Sequence, residues 1–407
     1  MKCRHCSAEL SHTFLDLGFA PPSNSYLFPV DLYRPEKYYP LRIKVCQQCW
    51  LVQTVDCVEV DELFSSEYAY FSSTSTTWLA HAEDYAARMA ERLQLGKGSL
   101  VIEVASNDGY LLRNFLAAGI PCLGIEPTAR TAAAAEMIGI PVLREFFGEA
   151  LGKLLAAQGR LADLIIGNNV YAHVPDINDF TRGLKAALKP GGRITLEFPH
   201  LLCLINQTQF DTVYHEHFSY LSLYTVVSIF RAAGLCVCDV EKLTTHGGSL
   251  RVHGCHAEDG RTAVPSVSAV LEEEAQFGLQ TLAVYQGFQA KADRVKDDLL
   301  AFLIEQKRAG RTVAAYGAAA KGNTLLNYAG IKTDLLPVVY DAAAAKQGKF
   351  LPGSHIPILA PTMLQERRPD HLLILPWNIA AEVRKQNADL GELGTKFVTA
   401  VPILEIT

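Results

Sequence analysis

Short apolar runs alternate with helix-forming stretches through the middle of the chain, and this alternation restricts the fold more than any other feature. The runs cover residues 100–104, 122–126, 164–167 and 193–198, each followed by a turn signal or a helix former. Continuous apolar strands separated by helices are covered on both faces, which defines a parallel sheet in an α/β domain. Further strands near 235–240 and 250–256 are expected to complete that sheet, with antiparallel pairing allowed. Ahead of it, Trp78, Ala82, Tyr85, Met89 and Leu93 recur at intervals of 4, 3, 4 and 4, the spacing of one buried helix face.

The stretch 267–306, rich in Ala, Leu, Glu and Gln, predicts one or two long helices. A second α/β pattern opens at Thr312 and recurs at 335–341 and 371–376, predicting a smaller C-terminal Rossmann-like domain. A chain of 407 residues exceeds one comfortable core, and the expected division is 1–62, 63–260 and 261–407.

The first of these units is rich in Cys, Pro and Tyr and too small to bury a sufficient core unaided. Of ten cysteines, four form the set Cys3-x-x-Cys6 and Cys46-x-x-Cys49. Each pair places two thiolates on one tight turn, as a tetrahedral zinc site requires. Closing the long loop between them costs little more than closing a short one. Zinc–thiolate binding contributes on the order of 10 kcal/mol to folding. Four soft ligands leave no open position for substrate, so the expected zinc is structural. Chance pairing or a redox Cys-x-x-Cys is the competing reading.

Downstream, Glu103-Val-Ala-Ser-Asn-Asp-Gly109 follows an apolar strand and leads into a helix-like stretch. A strand, a tight turn and a helix start present backbone N–H groups to the polar end of a cofactor. Glu103, Ser106, Asn107 and Gly109 are candidate cofactor contacts, although Ala105 and Asn107 stand where glycine-rich loops have Gly. Glu126 ends the next strand, 23 residues after Glu103, where a carboxylate can accept both ribose hydroxyls of a nucleoside. Asn168 and Asn169 end a later strand beside the same crevice. A satisfied polar loop is the plainer alternative.

Tyr214-His-Glu-His217-Phe-Ser-Tyr220 is the densest group of proton-transfer side chains in the sequence, with His173 and His246-Gly-Gly-Ser249 as further candidates. A histidine near neutrality suits general-base work, and the implied chemistry is removal of a proton beside a carbonyl. Phenol and imidazole groups can stabilise the enolate oxygen as charge develops. His215 and His217 as metal ligands, or as hydrogen-bonded structural residues, are the alternatives.

The net charge of −6 gives no basic footprint, so nucleic acid is not an expected partner. No apolar run reaches the roughly 18 residues of a membrane helix. The start MKCRHCSAEL lacks the apolar core of a secretory signal. A cytoplasmic monomer without a membrane partner is expected.

The assembly resembles the zinc-containing sugar C-methyltransferases of branched deoxysugar biosynthesis. The resemblance spans nearly the whole chain and rests on the paired Cys-x-x-Cys motifs, EVASNDG, YHEHFSY, THGGSLRV, YGAAAKGNTLLNY and QGKFLPGSHIPI. It implies a zinc-binding N-terminal domain, a central class I methyltransferase sheet that takes S-adenosylmethionine, and a C-terminal Rossmann-like domain that helps hold a sugar nucleotide. It also implies deprotonation next to a 4-keto group of a nucleotide-linked deoxysugar, then attack on the sulfonium methyl. On that resemblance His217 is the base, with Glu216 its partner or competitor, and Tyr214, His173 and Tyr68 complete the catalytic group. Lys321 and Asn323 suit the diphosphate or the sugar rim, while His246, Gly247 and Ser249 are substrate contacts. One departure is the run Ala342–Ala345 after Asp341, where the family carries polar residues and a proline. The competing functions are an NAD-dependent sugar-nucleotide oxidoreductase, which the missing Gly-x-Gly-x-x-Gly disfavours, and a non-catalytic zinc-bearing binding protein.

Overall fold

A computed structural model describes residues 1–55, 71–74 and 76–407. The alternating apolar runs form a seven-stranded sheet. Its spatial order is Val142–Leu143, Cys122–Ile125, Val101–Val104, Ala162–Asn168, Leu188–Pro199, Ser249–His256 and Leu235–Leu243. The first five strands are parallel, and Ser249–His256 runs antiparallel to both neighbours. All four residues of Val101–Val104 are buried, as a strand covered on both faces demands. From that strand the chain moves outward to one side and then returns to the other through Ala162–Asn168. The reversal opens a crevice at the carboxyl ends of the strands. The helix Thr76–Arg92 covers one face with Trp78, Ala82, Tyr85 and Met89.

A four-stranded sheet in the N-terminal region joins His12–Ala20, Tyr39–Val45 and Val52–Thr54 to Ser219–Tyr220, so it takes its last strand from the middle of the chain. A six-stranded C-terminal sheet runs Ile358–Leu359, Val339–Tyr340, Val313–Tyr316, His371–Ile374, Lys396–Thr399 and Glu405–Ile406. It is parallel except for the last strand. Between these sheets the one or two long helices expected over 267–306 are found as two, Pro265–Phe277 and Phe288–Arg308, with the short Ala283–Gln286 between them. The first break is Gly278, whose φ of +95° caps the preceding helix. The N-terminal sheet and the C-terminal region share one core, where Phe14 stacks on Phe288 at 4.7 Å and meets the edge of Tyr285 at 5.4 Å.

Candidate active site

The four N-terminal cysteine sulfurs lie within 4.8 Å of one another, with Cys3–Cys49 and Cys6–Cys46 both at 3.5 Å. Tetrahedral zinc with bonds of about 2.3 Å sets sulfurs roughly 3.8 Å apart, so the donor set fits that ion. The two turns are built alike. Cys3 N–H donates to the Ala8 carbonyl at 2.8 Å and Ser7 N–H to the Cys3 carbonyl at 3.0 Å. Cys46 N–H donates to Leu51 at 3.0 Å and Trp50 N–H to Cys46 at 2.9 Å. Ser7 and Trp50 both take φ of +62°, the left-handed step that closes each turn. This unit also braces the histidine loop. The Arg4 guanidinium donates to the Phe218 carbonyl at 2.6 Å, and the Thr54 hydroxyl donates to the His217 carbonyl.

The carboxyl ends of the central and C-terminal sheets open on one cavity of about 620 Å³, a volume typical of small-molecule sites. At one end the loop after Val101–Val104 carries Ala105 at φ +56°, Asn107 at +51° and Gly109 at +78°. The loop therefore keeps the left-handed backbone of its glycine-rich counterparts without two of their glycines, at roughly 1–2 kcal/mol each. Ala105 and Asn107 line the cavity, where a side chain has room. Gly109 does not, and a Cβ there would stand 2.4 Å from the Ile140 Cδ1 atom. That contact explains why this glycine alone is kept.

Glu126 lines the cavity, and its carboxylate accepts from Asn107 N–H and from Thr128 N–H, both at 2.9 Å. Asn168 and Asn169 line it too. Both polar side-chain atoms of Asn168 and the Asn169 Oδ1 are buried without a protein partner. Buried polar groups are nearly always hydrogen-bonded, and these face a cavity that can hold a partner. Glu103 and Ser106 are buried but do not line the cavity. Burial, then Asp108 and Glu126, push the Glu103 carboxyl well above the usual range. The Ser106 hydroxyl fills the space a Cβ on Gly124 would need.

The other end gathers Tyr214, Glu216, His217, His173, His246 and Lys321. The His217 Nδ1–H donates to the Thr212 carbonyl at 2.9 Å, which leaves the lone pair on Nε2. Burial, then His173, holds its pKa well below the usual histidine value, so the ring is neutral. Tyr214 lies over it with centroids 3.9 Å apart, and His173 meets it edge-on at 4.6 Å. Burial lowers His173 to about 4. Glu216 faces a different partner: the Asn24 amide donates to its two oxygens at 2.9 and 2.7 Å. Burial raises that carboxyl to about 7. Lys321 donates to Asn378 at 2.6 Å and sits 4.6 Å over the Trp377 ring.

Three expected substrate contacts also sit outside the cavity lining. Gly247 packs against Trp377, where a Cβ would stand 2.4 Å from the ring. Ser249 donates to the Thr245 carbonyl at 2.9 Å. Asn323, fully buried, donates to the Ser23 carbonyl at 2.6 Å and ties the N-terminal loop to the C-terminal region. Tyr68 lies outside the described residues. His215 contacts the Tyr39 carbonyl at 3.4 Å, and among the described residues only the cysteine set has metal-site geometry.

Sequence reasoning missed Asn24, Tyr26, Trp78 and Lys346, all of which line the cavity. Asn24 and Tyr26 sit in PPSNSYLFP, whose composition signals only a loop. Lys346 follows the alanine run. Asp341 holds Ala318 N–H at 2.7 Å and Ala343 N–H at 2.8 Å and faces the Lys346 ammonium at 3.4 Å. The run thus delivers a cation to the site.

A left-handed loop after the first strand of a parallel sheet, a carboxylate ending the second and asparagines ending the fourth make the chain an S-adenosylmethionine-dependent methyltransferase bearing a structural zinc site. Family models match along its length: a zinc binding domain at residues 3–64, a methyltransferase domain at 78–240 and a C-methyltransferase C-terminal domain at 244–402. The chain is 33% identical over 401 residues to C-methyltransferase NovU of Streptomyces niveus, covering 98% of this chain and 95% of that one. It belongs to the C-methyltransferase family. An uncharacterized methyltransferase of Mycobacterium leprae, MLBr02584, is 30% identical over 101 residues, 25% of this chain and 37% of its own. Among solved structures, magnesium protoporphyrin IX methyltransferase (ChlM) from Synechocystis PCC 6803 with bound SAM covers 43% of this chain and 78% of its own, at 14% identity and a TM-score of 0.33. No helix among the described residues is long and apolar enough to cross a membrane.

Proposed function

We propose that the protein methylates the carbon next to the keto group of a nucleotide-linked 4-keto-6-deoxysugar. One observation carries the reading: a neutral histidine with its tautomer fixed by Thr212 lines the same cavity as Glu126 and the left-handed loop. When bound, S-adenosylmethionine supplies the sulfonium methyl. Glu126 would accept its ribose hydroxyls, and Asn168 and Asn169 would satisfy their orphaned groups on its polar end. His217 Nε2 takes the proton from the carbon beside the carbonyl, and the electron pair moves onto the carbonyl oxygen. Tyr214 donates toward that oxygen, and His173, neutral with its N–H held by the Glu216 backbone, packs edge-on against the His217 ring and positions it. The enolate carbon would accept the methyl group that the bound donor supplies, leaving the donor as its thioether, and the proton on His217 passes to solvent. The rate gain is one of alignment and charge stabilisation.

Lys321 and Lys346, beside the N-terminus of the helix Ala320–Tyr328, suit the diphosphate of the nucleotide. Glu216, raised to about 7, serves in its protonated form as a donor to a sugar oxygen. Neither role draws on Asn323. The test is mass spectrometry of a panel of 4-keto sugar nucleotides incubated with protein and S-adenosylmethionine. A methyl-sized mass gain retained on carbon supports the reading, and none across the panel overturns it.

A further inference from the structure

Beside the cavity lies a buried ionic cluster that the chemistry above does not use. Glu197 and Arg251 stand opposite each other on adjacent antiparallel strands, with no side-chain exposure and 2.8 Å between Oε2 and Nη2. His81 Nε2 lies 3.0 Å from both of those atoms. Arg251 also sits 4.5 Å over the ring of Tyr85. A buried ion pair adds little stability over apolar residues of the same volume, so stability alone does not account for this one.

Two contacts run from Glu197 to the cavity wall. Its backbone carbonyl accepts from Asn169 N–H at 2.7 Å, and its Oε1 accepts from the Thr245 hydroxyl at 2.9 Å. Asn169 and His246, the residue after Thr245, are left-handed at φ +53° and +54°. Their side chains meet at 3.0 Å, with the Asn169 amide donating to His246 Nε2. Trp78 closes the group, 4.9 Å from the ring of His81 and 5.3 Å from that of His246. Asn169, His246 and Trp78 all line the cavity. Left-handed residues other than glycine persist only where their surroundings hold them.

We infer that Glu197, locked by Arg251 and His81, is a positioning residue for methyl transfer: it clamps Thr245 and Asn169 so that the His246–Asn169 pair keeps its shape on the cavity wall. The inference rests on the methyl-transfer reading above. His217 is braced separately, by Thr212 and Thr54, so the clamp acts on transfer and leaves proton abstraction alone.

Glu197→Gln would leave Arg251 buried without its partner, so the decisive variant is Thr245→Val, which removes one contact and keeps the ion pair. Methyl transfer at saturating substrates falls about 10- to 100-fold, whereas deuterium exchange into the keto-sugar, measured with S-adenosylhomocysteine, stays within about twofold of wild type. Thr245→Ser restores transfer. A second arm needs no sugar: ¹⁵N-histidine NMR follows the titration of His246, which faces Lys321, Glu197 and His81 and is held at about 4 by burial, then Lys321. In Thr245→Val that titration moves up toward the ordinary value. An unmoved His246 titration, or transfer and exchange falling together, overturns the clamp. A wild-type protein that neither exchanges nor methylates sinks the keto-sugar reading instead, while the histidine titration still decides the clamp.

Discussion

The cysteine turns and the cavity wall both depend on left-handed residues that are not glycine, yet they resolve that strain differently. Ser7 and Trp50 sit in two matching turns whose backbone groups are paired and whose four sulfurs face one another. Ala105, Asn107, Asn169 and His246 sit around a cavity where Asn168 and Asn169 keep buried polar atoms unpaired. The first region is complete once its ion is bound. The second lines a cavity with polar groups that the protein itself leaves unpaired. Left-handed strain closes two turns in one region and shapes a cavity wall in the other.

The regions are also coupled, because the zinc-bearing sheet pairs with Ser219–Tyr220 and grips the loop carrying His217. Cys46→Ala should therefore give the largest effect. It removes a share of a contribution on the order of 10 kcal/mol to folding, and with it the brace on His217. Zinc content and thermal melting would fall together with activity; an active, zinc-free variant would break the coupling. His217→Ala comes next, with turnover down about 10²- to 10⁴-fold in single-turnover assays. Its affinity for S-adenosylmethionine by calorimetry should stay close to wild type, because Glu126 and its loop are untouched.

Glu216 sharpens the comparison by pH. Its carboxyl moves from an ordinary 4.5 to about 7 through burial, with the Asn24 hydrogen bond opposing. The stability this group contributes is present below the lower value and lost as pH rises through the higher one. If its protonated form is the useful one, turnover falls as pH rises through 7, and Glu216→Gln flattens that limb. A rate that climbs through 7 would make Glu216 the base. The smallest effect belongs to Ala105→Gly, which removes left-handed strain but loosens the unfolded chain. A net gain of at most about 1 kcal/mol in denaturant unfolding is expected.

The inner strands of the central sheet were legible as short, mainly apolar runs, whereas the two-residue edge strand Val142–Leu143 was not, and the zinc site was legible because two Cys-x-x-Cys pairs carry their geometry in their spacing. Glu126 and the paired asparagines were legible as strand ends at a crevice. What could not be read was contributed across long separations. Asn24 reaches Glu216 and Ser23 anchors Asn323 over 192 and 300 residues, and no local period records such contacts. The stretch 267–306 could be read as one helix or two, and it divides at Gly278, whose left-handed cap the surrounding composition hides. Gly247 packs against Trp377, which lies far along the chain and leaves no local signal.

The central claim is that His217 ionises a carbon acid inside the methyl donor's cavity. It is tested most directly by following deuterium uptake at the carbon beside the keto group, by NMR in deuterated water, with S-adenosylhomocysteine in place of the methyl donor. The account predicts uptake with the wild-type protein and almost none with His217→Ala. Uptake by His217→Ala at the wild-type rate would contradict it.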